Sequence, residues 1–159
     1  VYHGPSQGVR VVRSLDRGQS FSASTQLDAT NGEPEVMVDL SNNYVYVTWL
    51  SAGNVMLSRS TDHGATFSAP ATVAGSVSGS VHMAVSNPYV YIIVRNGTNL
   101  YVNGANGVGA FSTVVIDTPR VYSDVHVDPS TGYVYVQDDD PNVLYFVSTN
   151  HGQSFSSSH

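Results

Sequence analysis

Three adjacent carboxylates, Asp138-Asp139-Asp140, form the densest stretch of chemistry in this sequence. With nearby backbone carbonyls they offer the oxygen ligands that Ca2+ takes, the one cofactor the sequence points to. The EF-hand spacing is absent, and a solvated acidic turn has the same appearance. Two acids on neighbouring loops would also suit glycoside hydrolysis, provided one carboxyl keeps its proton at a raised pKa. Arg95 and Arg120 could meet an anionic ligand, and Tyr122 with Trp49 could stack on a sugar ring. Trp49 ends an apolar run, however, and reads equally well as core. His82 and His126 lack the spacing of a metal-binding motif. Asn96-Gly97-Thr98 is an acceptor triplet for N-glycosylation, in a predicted loop where an acceptor belongs. No nucleophile elbow, phosphate loop or complete catalytic set occurs, so the reading leans away from an enzyme.

The elements that must position these residues repeat. Tyr44-Val45-Tyr46-Val47 recurs as Tyr89-Val90-Tyr91-Ile92 and as Tyr133-Val134-Tyr135-Val136. Each is a β-branched and aromatic run without helical period. A short apolar alternation precedes each run, beginning near Glu35, His82 and Asp124. A Gly, Asn or Asp turn and a third run follow. Then comes a polar turn closed by phenylalanine: Ser14-x-Asp16-x-Gly18-x-x-Phe21, Ser60-x-Asp62-x-Gly64-x-x-Phe67 and Ser148-x-Asn150-x-Gly152-x-x-Phe155. A worn copy runs from Asn106 to Phe111. The four phenylalanines stand 46, 44 and 44 residues apart.

Four short strands per repeat, with turns at every junction, predict an all-β chain built as a β-propeller of four-stranded antiparallel blades. Such a unit cannot bury both faces alone, so neighbouring blades must stack. We expect one partial propeller over residues 1–159, with part of a blade at 1–27 and blades at about 34–74, 81–116 and 124–159. About three and a half blades do not close a ring. The chain is then expected either to be a piece of a longer one or to self-associate through open edges.

Composition narrows the partners. Charged residues are only 11% of the chain, against roughly 25% in soluble domains, and Ser, Thr, Asn and Gly carry the polarity. Six arginines, no lysine and twelve acids give a net charge of -6. Nucleic acid and anionic lipid both call for a basic face, so neither is an expected partner. Without cysteine there is no disulfide or thiolate site, and no apolar run is long enough for a membrane span. The low charge leans towards a secreted or cell-surface setting.

The Ser-x-Asp-x-Gly-x-x-Phe turns resemble the Asp box, the bacterial neuraminidase repeat of sialidases and other secreted propellers. The resemblance implies a sialidase-like fold with structural turns between third and fourth strands, away from any catalytic face. Ser14, Asp16, Gly18, Phe21, Ser60, Asp62, Gly64, Phe67, Asn106, Phe111, Ser148, Asn150, Gly152 and Phe155 are then structural. An Asp can accept backbone hydrogen bonds two residues on, and Gly can take the positive φ that follows. Each Phe would re-enter the sheet and pack between blades. Function is directed to the opposite loops, with Arg95, Arg120, Tyr122, Asp138, Asp139 and Asp140. The sialidase arginine clamp and its Arg-Ile-Pro signature are missing. The expected function is a non-catalytic extracellular module for binding, with a glycan as one candidate partner, or for assembly of a surface structure. The alternative is a fragment of a secreted glycoside hydrolase, sialidase-like or similar to xyloglucan-cleaving endoglucanases.

Overall fold

A computed structural model of the chain describes residues 2–4, 8–30, 32–95, 99–116, 122–138 and 145–158. These residues form four antiparallel sheets and no helix. The first sheet has three strands, β1 (Tyr2–Gly4), β2 (Gly8–Val11) and β3 (Thr25–Asp28). The second is β4 (Glu35–Asp39), β5 (Tyr44–Ser51), β6 (Asn54–Ser60) and β7 (Ala71–Ala74). The third is β8 (Val81–Ser86), β9 (Tyr89–Val94), β10 (Asn99–Asn103) and β11 (Ser112–Val115). The fourth is β12 (Tyr122–Val127), β13 (Val134–Asp138), β14 (Tyr145–Ser148) and β15 (Ser156–Ser158). Each sheet pairs its strands in chain order, as a meander. The leading strands β4, β8 and β12 converge on one cleft, with β8 touching both of the others. Sheets that stack face to face around converging first strands are the blades of a β-propeller-like fold.

Alternation along each strand builds the core between sheets rather than within them. Val47 and Trp49 point back to Val9 and Val11 of the first sheet. Tyr46, Val55 and Leu57 point forward to Val81, Met83, Val90 and Ile92 of the third. Tyr91, Ile93 and Leu100 do the same towards Tyr122, Val125, Val134 and Phe146 of the fourth. Each central sheet is thus apolar on both faces, which is why its strands read as continuous hydrophobic runs. Val36 and Val38 of β4 face the three-stranded first sheet and stay exposed, because no leading strand covers them there among the described residues.

One expected detail is corrected. The phenylalanines do not open the fourth strands. Phe21 and Phe67 precede β3 and β7 by four residues, and Phe111 and Phe155 directly precede β11 and β15. Phe67, Phe111 and Phe155 each pack back onto the preceding sheet's cluster. Phe21 does not, and 63% of its surface is exposed.

Candidate functional site

The repeated turns are built alike. In the second, Ser60 Oγ donates to Asp62 Oδ1 at 2.7 Å and accepts the N–H groups of Asp62 and Gly64 at 3.3 and 2.8 Å. Asp62 Oδ1 then accepts the Thr66 N–H at 2.8 Å, while Oδ2 takes the Thr66 hydroxyl. Ser14 with Asp16 and Ser148 with Asn150 reproduce this network. Bonds from the Ser20 hydroxyl and N–H and from Ser14 hold the Asp16 carboxyl down at about 2. The equivalent bonds from Thr66 and Ser60 hold Asp62 well below the carboxylate range. The Asp16 and Asp62 carboxylates are thus engaged within their own turns, which is a turn-holding role.

The worn copy needs its register corrected. Asn106 does not stand where Asp62 does. Its φ of 54° matches Arg17 (59°), His63 (58°) and His151 (56°), the left-handed residue before the glycine. Asn103 takes the serine position instead, with Oδ1 accepting the N–H groups of Ala105 and Gly107 at 2.8 and 2.9 Å. Its Nδ2 donates to the carbonyls of Val108 and Ala110, both at 2.9 Å, and so closes the second half of the turn. Gly107 is in register, four residues after Asn103. That interval, shared by Ser14/Gly18, Ser60/Gly64 and Ser148/Gly152, was the signal in the sequence for Asn103.

The opposite loops are only partly brought together. Arg95 is exposed at the end of β9. Tyr122 is fully buried against Phe146, its ring meeting that phenyl edge-on, so it is no part of a ligand face. Trp49 is likewise fully buried, in a different cluster, and the two offer no sugar-stacking surface. Asp138 lies in β13 with only 4% of its surface exposed and registers opposite Tyr122, which removes it from a solvated acidic turn. Asn96, Arg120, Asp139 and Asp140 lie outside the described residues. Among the described residues no group of three or more His, Asp or Glu could hold a metal ion. No helix there is long and apolar enough to cross a membrane.

Titratable chemistry collects instead where the leading strands converge. A cleft of about 490 Å3 runs along β4, β8 and β12, lined by Glu35, Met83, Asp124 and His126 among others. Asp124 Oδ2 lies 3.3 Å from His126 Nε2, and its Oδ1 lies 3.9 Å from His82 Nδ1. Ser80 Oγ and His82 Nε2 are 3.3 Å apart. Glu35 Oε2 is shut off from solvent without a hydrogen-bond partner. Burial first, and the Asp124 carboxylate second, push the Glu35 carboxyl up to about 7, with the Met83 N–H pulling the other way. The sequence marked Glu35 only as the start of an apolar alternation, alongside His82 and Asp124, and carried no sign of its burial.

This raised pKa has a consequence for stability. The unfolded chain gives up the Glu35 proton near 4.5, the folded chain only near 7. Between these values the folded state holds more proton, so stability falls as pH rises and levels off above about 7. Glu35→Gln removes the effect. It should gain on the order of 1–2 kcal/mol over the native chain at about pH 8, after discounting for partial exposure, and nothing at about pH 4. Urea midpoints at the two pH values measure this. A native midpoint that shifts no more than the variant's would refute it.

A second concentration of chemistry lies on the outward face of the fourth sheet. His126, Tyr135, Gln137 and Tyr145 line a shallow groove of about 400 Å3 there. Tyr133 and Tyr145 are 37% and 40% exposed. The counterparts of Tyr135 and Tyr145 in earlier sheets are covered: Tyr46, Tyr91, Leu57 and Leu100 are at most 2% exposed. The register confirms the equivalence, since Tyr135 pairs with Val147 as Tyr91 pairs with Val102.

No protein-family model matches this sequence, and no curated protein matches it.

Proposed function

We propose that this chain is a non-catalytic extracellular module of the Asp-box propeller type, which works by binding or assembly through the outward face of its fourth sheet. The observation that carries the reading is the set Tyr133, Tyr135 and Tyr145, which repeats a seat that is filled at the earlier interfaces and is open here. Flat aromatic surface beside Gln137 and His126 suits either a sugar ring or another protein's side chains. Three turns alike in hydrogen bonding, and a fourth alike in backbone, support the Asp-box resemblance. The sparse charge of the surface supports the extracellular setting.

Tyr135→Ala with Tyr145→Ala tests the module reading. The native chain is expected to show either self-association by light scattering or binding to immobilised xyloglucan oligosaccharide or sialyllactose. The double variant should lose that signal with its circular dichroism unchanged. A native chain that shows neither would count against the proposal.

A second reading, a glycoside hydrolase fragment, has one observation in its favour. Glu35 holds its proton near neutrality beside Asp124, as a general acid beside an ionised partner must. Against it, Glu35 Oε2 is closed to solvent. Sugar release from xyloglucan or a fluorogenic sialoside, abolished in Glu35→Gln, would favour the hydrolase. No release is the expected result.

A further inference from the structure

The last two internal interfaces of this chain are made by the same device, and the first keeps a looser form of it, in which Gly64 reaches only the Arg13 side chain of the sheet before. The turn of one sheet lays its left-handed pair of residues on the forward face of the sheet before it. A Cβ on Gly152 would stand 3.1 Å from Tyr91 Cε1 and 3.2 Å from Leu100 Cδ2, so only glycine seats that closely. One residue earlier, the His151 ring stacks on Tyr89 with centroids 4.5 Å apart and 4° between planes. Gly107 sits in the same way against Leu57 and Tyr46. There Arg59 Nη1 donates to the Asn106 carbonyl at 2.9 Å, as Arg13 Nη1 does to that of His63 at 3.4 Å.

Both halves of this device recur unpaired at the two ends of the described fold. The first turn has the required backbone, with φ of 59° at Arg17 and 87° at Gly18, and nothing lies within 4 Å of the Gly18 Cβ position. Leu15 and Phe21 beside it are 82% and 63% exposed. The fourth sheet offers Tyr133 where Tyr89 stood, Tyr135 for Tyr91 and Tyr145 for Leu100. Charge agrees with shape. Arg17 stands exposed in the first turn, whereas the described fourth sheet carries Asp124 and Asp128 at its surface and no arginine.

We infer that two copies of this chain associate head to tail, the Ser14–Phe21 turn of one seating on the Tyr133, Tyr135 and Tyr145 face of the other. This rests on the module reading above and names its partner. Gly18 takes the place of Gly152 over Tyr135 and Tyr145. Arg17 takes the place of His151, with its guanidinium over the Tyr133 ring, a cation–π contact of the kind Arg59 already makes with Tyr44 at 5.3 Å. Phe21 is covered as Phe155 is. The opposed charges steer the basic end to the acidic one. Such a contact is heterologous, and it propagates until the rotation closes a ring or runs on as a filament.

Sedimentation velocity over a concentration series tests this with two variants of the 159-residue chain. Arg17→Asn with Phe21→Ser disables the turn while keeping a residue that tolerates positive φ. Tyr135→Ser with Tyr145→Ser disables the seat. The native chain should form species of two chains and more as concentration rises. Each variant alone should stay a single chain, because every contact needs one turn and one seat. Their equimolar mixture should form a species of two chains and nothing larger. Trp49 fluorescence and circular dichroism verify that both variants fold. A native chain that stays monomeric, a mixture that stays monomeric, or a turn variant that associates like the native chain would overturn the proposal. If the native chain is monomeric yet binds an oligosaccharide probe through Tyr135 and Tyr145, the head-to-tail contact falls and the module reading stands. A monomer that binds neither probe sinks both.

Discussion

Trp49→Ala is expected to cost about 3–5 kcal/mol, the usual loss for truncating a fully buried Trp. The indole is wholly enclosed by Val9, Val11 and Val47, with Leu27, Met56 and Phe67 around them. Val9, Val11 and Leu27 belong to the first sheet, so the ring is the main plug between the first sheet and the second. It is also a tether, since Nε1 donates to Asp28 Oδ2 at 2.8 Å across that interface. Trp49→Phe separates the two roles. It keeps most of the packing and leaves Asp28 one donor short, for about 1–2 kcal/mol.

The pH dependence of that second loss has a fixed sign. Burial raises the Asp28 pKa, and bonds from the Thr30 N–H, Trp49 and the Thr30 and Ser51 hydroxyls outweigh it, leaving the carboxyl below its ordinary value. Such a group stabilises the fold above the unfolded carboxylate range and ceases to do so as pH falls through its folded value. The gap between Trp49→Phe and the native chain should therefore narrow in acid. Urea unfolding followed by circular dichroism measures both variants. If Trp49→Ala costs under about 1 kcal/mol, the first sheet does not depend on this residue.

Asn103→Ala is expected to cost about 2–4 kcal/mol. The side chain is only 4% exposed and makes four hydrogen bonds, two as acceptor and two as donor. Alanine leaves the N–H groups of Ala105 and Gly107 and the carbonyls of Val108 and Ala110 short of partners, at about 1 kcal/mol each or less where water reaches them. Asn103→Ser installs the residue found in the other three turns. Serine can accept from the two N–H groups but cannot reach the two carbonyls, so about half the loss should return. Thermal unfolding of the pair decides it. Equal losses in both variants would show that Asn103 does not occupy the serine position.

The contrast between Asn103 and Asn106 marks how far letters alone could go. Three turns were legible because Ser, Asp or Asn, Gly and Phe recur at one spacing. In the fourth, Asn106 was the residue that looked like a substitute for aspartate. What these turns share is an acceptor four residues before a glycine with positive φ, and a left-handed residue between them whose side chain is free to vary as Arg17, His63, Asn106 or His151. Matching on chemistry took the variable position for the fixed one.

Tyr122 and Asp138 were misplaced for a different reason. Both flank polar, loop-like stretches and read as surface. A register shift between Tyr122 and Asp124 turns Tyr122 into the interface with the third sheet and places Asp138 opposite it. Strand alternation predicts which residues share a face, but an irregularity in pairing is set by the partner strand and leaves no mark in a single sequence.

By itself, then, the sequence determined the repeat: all-β sheets in meander order, with a structural turn between third and fourth strands. These follow from local physics, the β-branched runs, the turn chemistry and a fixed period. Only the tertiary structure decided which repeat positions are covered. Tyr91 and Tyr135 are the same residue in the same strand of successive repeats, yet one is sealed beneath the next turn and the other lines an open groove. Glu35 likewise has an ordinary local sequence, and its raised pKa comes from burial between converging strands and from Asp124, more than eighty residues away. Burial and charge proximity are properties of the stacked sheets, so they arise only once the sheets have met.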